Sequence, residues 1–271
     1  DADSTVTASI SGAGGLTKSG NGYLVLSGNN TYTGSTIIQG GSVYLDHANA
    51  LGSSSGLSAS GNTNLYVRGV NLAAVPIALN GSNTQIHLQG DGSYAGGVSG
   101  SGSLIKESTG TFTLSGTNTY TGGTSVSGGT LALGSINALL GTGNVTVNGC
   151  TLDIGSYNNT FGALTLTHGT ITGTTGILTA ASITDNGISG TTNTISAILG
   201  GSGTLSKTGP GTLVLSGNNA PFSGNINLSD GVMVLGHTRA AGTGTLTNNA
   251  TLSVADGVTS INIGALSGTS N

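Results

Sequence analysis

Apolar residues fall in short alternating clusters rather than long stripes. Leu24-Val25-Leu26, Leu65-Tyr66-Val67, Leu131-Ala132-Leu133 and Val145-Thr146-Val147 recur down the chain, each soon followed or preceded by Gly, Asn or Ser. A period of two between turn-forming residues predicts short, half-buried strands. No stretch keeps the i, i+3, i+4 apolar spacing for three turns, and the strong helix formers Glu, Lys, Arg, Gln and Met are scarce. The pattern therefore predicts an all-β protein.

The clusters also repeat at long range. Ser11-Gly12-Ala13-Gly14-Gly15-Leu16-Thr17-Lys18 returns as Ser99 to Lys106 and again as Gly200 to Lys207. Each copy continues with a strand ending in Leu26, Leu114 or Leu215, then Ser-Gly-x-Asn at Asn30, Asn118 and Asn219, then Thr31-Tyr32-Thr33-Gly34, Thr119-Tyr120-Thr121-Gly122 or Pro221-Phe222-Ser223-Gly224. A finer beat runs inside the copies, where Leu26 is followed by Leu45, Leu114 by Leu133 and Leu215 by Leu235. Short strands recurring at that interval predict a parallel β-helix, or β-solenoid, of about 20 residues per coil and roughly 12 to 14 coils, a rod on the order of 60 Å long. The expected organisation is one continuous solenoid over 1–271, with repeat units near 10–52, 98–143 and 199–244 and diverged coils between them.

Alternation assigns the interior. Leu24 and Leu26, Phe112 and Leu114, and Leu213 and Leu215 point inward from one strand. Thr36 and Ile38, Thr124 and Val126, and Ile226 and Leu228 do so from a second, and Val43 and Leu45, Leu131 and Leu133, and Met233 and Leu235 from a third, giving three strands per coil. The corners are expected at Gly40-Gly41, Gly128-Gly129 and Asp230-Gly231, where the chain must turn within one or two residues.

Composition sharpens this reading. Fifty-one glycines would fit a disordered chain, but the recurring aliphatic clusters supply a core to offset the entropy of ordering. Charged residues are only 5% of the chain and the net charge is −4, with no basic stripe to neutralise phosphates, which argues against nucleic acid as a partner. No apolar run is long enough to cross a bilayer, so no direct membrane insertion of this segment is expected. Asp1-Ala2-Asp3 lacks the features of a signal peptide, and the chain stops as if in mid-coil, which suggests an excised piece or an open end for stacking. The lone Cys150 has no internal disulfide partner and is expected to be a small buried residue.

Chemistry is thinly represented. The acidic residues Asp1, Asp3, Asp46, Asp91, Glu107, Asp153, Asp185, Asp230 and Asp256 are dispersed, with Asp91 and Glu107 the closest internal pair, so the paired carboxylates of a glycoside-cleaving β-helix are not expected. Gly52-Ser53-Ser54-Ser55-Gly56 fits the nucleophile-elbow spacing near His47, but that motif works on a strand-turn-helix this chain lacks. Gly12/Gly14 and Gly201/Gly203 lack the third glycine of a dinucleotide site, and Leu205 stands where a calcium-binding nonapeptide would carry Asp. His47, His87, His168 and His237 are isolated in sequence, with His87 directed outward. Lys18, Lys106 and Lys207 read as solvated corner lysines, or else as a periodic contact along one face. No catalytic, cofactor-binding or metal-binding residue is predicted, and no cofactor.

The series Gly-x-Gly-x-Leu-x-Lys, Leu-Ser-Gly-x-Asn, Thr-Tyr-Thr-Gly and a glycine corner resembles the autotransporter-associated β-strand repeat of Gram-negative passenger regions. The resemblance implies a right-handed parallel β-helix exported across the outer membrane and displayed at the cell surface or released, usually for adhesion or self-association. The partners expected are a second copy of the chain, side by side or stacked end to end as in a filament, and a host or matrix glycan or protein. A carbohydrate-active enzyme is the least favoured reading.

Overall fold

The computed structural model describes residues 2–139 and 143–269. Among them there is no helix, and every strand pairing is parallel between coils about 20 residues apart, so the chain is the β-solenoid its periodicity predicts. It divides into two compact units, Asp1–Gly143 and Asn144–Asn271.

In the first unit, one face stacks Leu16–Lys18, Thr36–Ile38, Leu57–Ser60, Ile77–Asn80 and Val98–Gly100. A second stacks Ser4–Val6, Tyr23–Leu26, Gly41–Leu45, Thr63–Arg68, Gln85–Gln89, Ser103–Glu107 and Thr124–Val126. The third starts as an irregular arc around Asn30 and Tyr32 and becomes regular at Asn71–Leu72, Gly92–Tyr94, Thr111–Leu114 and Thr130–Leu133. In the second unit, Val145–Asp153 and Asn159–Thr172 run on across a corner, and the register between them shifts around Asn148.

The predicted inward residues are buried, Leu24 alone being only half-buried. Each fully buried leucine contributes about 2 kcal/mol of transfer free energy, which is how short strands add up to a stable core. Their grouping, however, differs from the expectation of three strands in one coil. Leu24 lies opposite Val43 and Leu26 opposite Leu45, so these strands occupy one face in successive coils, and the step from Leu26 to Leu45 is one full turn. The remaining side of that coil is the arc carrying Tyr32.

The repeats are also rotated relative to one another. Four coils take Lys18 through Ile38, Ala59 and Leu79 to Gly100, not to Lys106, which lies further along, past a corner. In the first repeat the Leu16–Lys18 strand is on the first face and Tyr23–Leu26 on the second; in the next repeat Ser103–Glu107 is on the second and Thr111–Leu114 on the third. The interval from Lys18 to Lys106 is four coils plus one face, so the two lysines do not share a face and form no longitudinal contact row.

Two further residue classes behave differently from their expected roles. Lys106 and Lys207 have no solvent exposure, and their heads are enclosed at the corners. Lys106 Nζ donates to the carbonyls of Glu107 (2.9 Å), Ser108 (2.9 Å) and Gly128 (3.1 Å), and Lys18 Nζ to those of Ser19 (2.9 Å), Gly20 (2.8 Å) and Gly40 (3.2 Å). The ammonium thus satisfies carbonyls that a tight corner turns away from their ladder. At the corners themselves Gly41, Gly129 and Gly231 take positive φ, whereas Asp230 does not. Asp230 accepts the Gly231 N–H at 2.7 Å instead, so at these three corners the left-handed residue is the glycine.

The repeat asparagines bind three coils together. Asn30 accepts from Ile10 N (2.9 Å) and donates to Ala50 O (2.7 Å), partners one coil before and one coil after it. Asn118 accepts from Val98 N and Asn219 from Leu199 N, both at 2.8 Å, and their amides donate to Ala138 O (2.5 Å) and Ala240 O (2.7 Å). All three are buried.

Beside each asparagine a large ring fills the coil. Tyr32 and Tyr120 bond Thr36 and Thr124 through their hydroxyls (2.7 and 2.6 Å), and burial raises both phenols above their usual range. In the third repeat both members change together, to Phe222 and Ile226. A hydroxyl pair inside the core is stable only as a pair. Tyr32→Phe is therefore expected to cost about 1–2 kcal/mol in equilibrium denaturation, and adding Thr36→Ile to recover most of that loss.

Candidate functional site

The second face of the first unit carries a run of outward aromatic side chains in successive coils. Strand alternation sends Tyr44, Tyr66 and His87 outward, and parallel register places Tyr44 opposite Tyr66 and Tyr66 opposite His87. Their rings stack: centroids are 4.6 Å apart at 12° for Tyr44 and Tyr66, and 4.4 Å at 24° for Tyr66 and His87. Tyr23 joins at right angles to Tyr44, 5.8 Å away, with 39% of its surface exposed. Each such pair contributes about 0.5–1.5 kcal/mol beyond its area.

Polar rows flank the rings at the coil spacing. On one side lie Ser42, Asn64, Gln85 and Ser103, in register from coil to coil. On the other, Arg68, Gln89 and Glu107 align. Arg68 Nε donates to Asp46 Oδ1 at 2.7 Å while its second arm meets Oδ2, and its guanidinium lies 4.5 Å from the centre of the Tyr44 ring. The bond to Asp46 raises the guanidinium above its already high range, so the charge is permanent. His87 Nδ1 lies 3.1 Å from Glu107 Oε1, which also accepts from Gln89 Nε2 at 2.8 Å. Burial, then Tyr44 and Glu107, raise the Tyr66 phenol, which is therefore a protonated donor at neutral pH. The stripe thus offers phenols and planar amides, while its charged groups face each other.

His87 points outward as alternation requires, yet it is only 8% exposed because Tyr66 and its neighbours cover it, and it is not isolated. The other candidates stay apart. Asp91 accepts from Thr111 N (2.6 Å), separately from Glu107. Ser54 donates to Gly34 O (2.9 Å) and Gly56 O (3.0 Å), and His47 accepts from Asn49 N (3.0 Å), so the Gly52–Gly56 motif is a coil stitch. Among the described residues no three His, Cys, Asp or Glu side chains gather as metal ligands. Cys150 is buried.

The passenger-associated-transport-repeat family matches residues 16–45, 104–133 and 205–235, the three segments just described. The chain is of the autotransporter-passenger type. Over 226 residues, 79% of the chain, it is 33% identical to the adhesin BmaC autotransporter of Brucella suis biovar 1. Over 36 residues, 13% of the chain, it is 67% identical to the Neisserial autotransporter lipoprotein NalP of Neisseria meningitidis serogroup B. The chain spans 6% of the length of the Brucella adhesin and 3% of NalP. No solved structure matches it significantly. As a passenger-type sequence it is a cell-surface or secreted, outer-membrane-associated protein.

Proposed function

We propose that this passenger segment is a non-enzymatic adhesive surface, displayed on or released from the cell, that contacts an uncharged polyhydroxyl partner, a host or matrix glycan, through the stripe of Tyr23, Tyr44 and Tyr66. The observation that carries this reading is the stripe itself: aromatic rings bordered by amides and hydroxyls, whose Arg68 and His87 are already engaged by Asp46 and Glu107. Aromatic groups with a polar tip suit a contact that is apolar in one part and wet in another. The similarity to a protein named an adhesin supports it.

Binding of the purified chain to immobilised neutral polysaccharides tests this. The triple variant Tyr23→Ser, Tyr44→Ser, Tyr66→Ser is expected to lose at least tenfold in affinity while keeping its β circular dichroism. Equal binding by wild type and variant, or no binding by either, contradicts the proposal.

A second reading, homotypic self-association, is favoured by the second unit. There Thr146, Thr165, Thr184, Ser206, Asn227, Thr247 and Ser267 follow one another in register on an outer face, an uncharged row with no repulsion toward a second copy. Sedimentation should show concentration-dependent dimers that Thr165→Glu with Ser206→Glu disperses. A monomer at all concentrations rejects this reading.

A further inference from the structure

One inward row of the second unit departs from the apolar rule. It runs Val147, Leu166, Asp185, Lys207, Leu228, so a carboxylate and an ammonium from adjacent coils stand between leucines. Both have zero exposure, as does Asn193 beside them. Lys207 Nζ lies 3.4 Å from Asp185 Oδ1, and Asn193 Nδ2 donates to Asp185 Oδ2 at 2.7 Å. Asn193 Oδ1 accepts from Gly169 N at 2.9 Å, which fixes the amide's orientation: its oxygen faces an N–H and its nitrogen the carboxylate. Gly187 N donates to Asp185 Oδ1 at 3.2 Å, and Lys207 Nζ also meets Gly209 O.

The corner does not need this cluster. Lys106, at the equivalent repeat position, follows Leu88 rather than an acid in its row and is satisfied by three carbonyls. A buried ion pair in place of leucine is costly to desolvate and poor evidence of a stabilising role.

We propose that Lys207 and Asn193 form an intramolecular isopeptide bond, with Asp185 as the proton shuttle. The carboxylate holds the attacking nitrogen with one oxygen and the leaving nitrogen with the other. Asp185 takes a proton from the Lys207 ammonium, which removes both buried charges and frees the amine to attack Asn193 Cγ. The oxyanion that forms on Oδ1 is held by the Gly169 N–H. The Cγ–Nδ2 bond then breaks as Asp185 returns a proton to Nδ2, and ammonia leaves. Nζ gives up two protons in all: one completes the ammonia, and the other stays on Asp185 or departs with the ammonia as ammonium. No oxidant, metal or cofactor is consumed. The enclosed site keeps water from competing as nucleophile. The product would join two coils of the second unit covalently, and the inference is independent of the adhesive reading.

Mass spectrometry of the full chain, denatured, with peptide mapping tests it. The expected result is a chain lighter than its sequence by one ammonia, with a branched peptide joining Lys207 to Asn193. The isosteric variant Asp185→Asn is expected to show the full sequence mass and two linear peptides. A wild-type chain of full mass overturns the proposal. So does the loss of one water with Lys207 joined to Asp185, because Asn193 is then not the electrophile. Ammonia loss without a branched peptide overturns it as well.

Discussion

Replacing Asn219 by leucine will lower the stability of the second unit by about 3 kcal/mol, because it leaves two buried backbone groups unpaired at once. Leu199 N–H and Ala240 C=O, in the coils before and after, both lose their partner when the amide goes. Leucine is close to asparagine in size, so the loss is one of hydrogen bonds rather than volume. Equilibrium denaturation gives the total. Hydrogen exchange gives the location: the Leu199 amide should lose protection before its strand neighbours do. A change below about 0.5 kcal/mol would show that water or a shifted backbone replaces the amide.

Gly41→Ala should be as damaging for a different reason. Gly41 has φ of +71°, and a Cβ there would collide with Gly22 O in the adjacent coil. The substitution meets both the left-handed penalty and a backbone atom fixed by its own ladder, together about 2–4 kcal/mol. Gly14 provides the comparison, since a Cβ there meets nothing within 4 Å and its φ is not left-handed. Gly14→Ala should leave the stability unchanged or raise it by about 0.5 kcal/mol through the unfolded chain. Similar losses at both positions would mean that the corner is looser than its geometry.

These positions separate what the residue pattern encodes locally from what only the assembled coils determine. Coil length and inward rows were legible because burial has a period of two within a strand and one coil between strands, which fixes Leu26 above Leu45 whatever lies between. The face occupied by each repeat was not, because it depends on the summed lengths of the diverged coils, and a few residues at a corner carry Lys106 onto the next face. Asn30 reads as a turn former, and nothing in the sequence marks Ile10 N and Ala50 O as its partners, since every residue carries the same backbone groups. Lysine is rarely buried, so the enclosure of Lys106 runs against its ordinary placement.

The aromatic stripe did carry a signal. Tyr44, Tyr66 and His87 follow one another at intervals of one coil, at the outward positions between apolar neighbours. The outward positions repeat coil by coil just as the inward ones do, which is where the stripe is legible. The Asp185, Lys207 and Asn193 cluster gave only part of its signal. Asp185 and Lys207 stand one coil apart in sequence, but Asn193 reaches the carboxylate from another side of the coil.

Paired cysteines test the stacking most directly. Thr113 and Ala132 face each other in adjacent coils of the first unit, on strands joined in parallel register, with outward side chains. Neighbouring parallel strands are about 4.8 Å apart, within the span a disulfide bridges. In a Cys150→Ser background, Thr113→Cys with Ala132→Cys should oxidise to an intramolecular disulfide in the native state, whereas Thr113→Cys with Ser125→Cys, on another face, should stay reduced. Crosslinking of the second pair and not the first would contradict the stacked parallel coils.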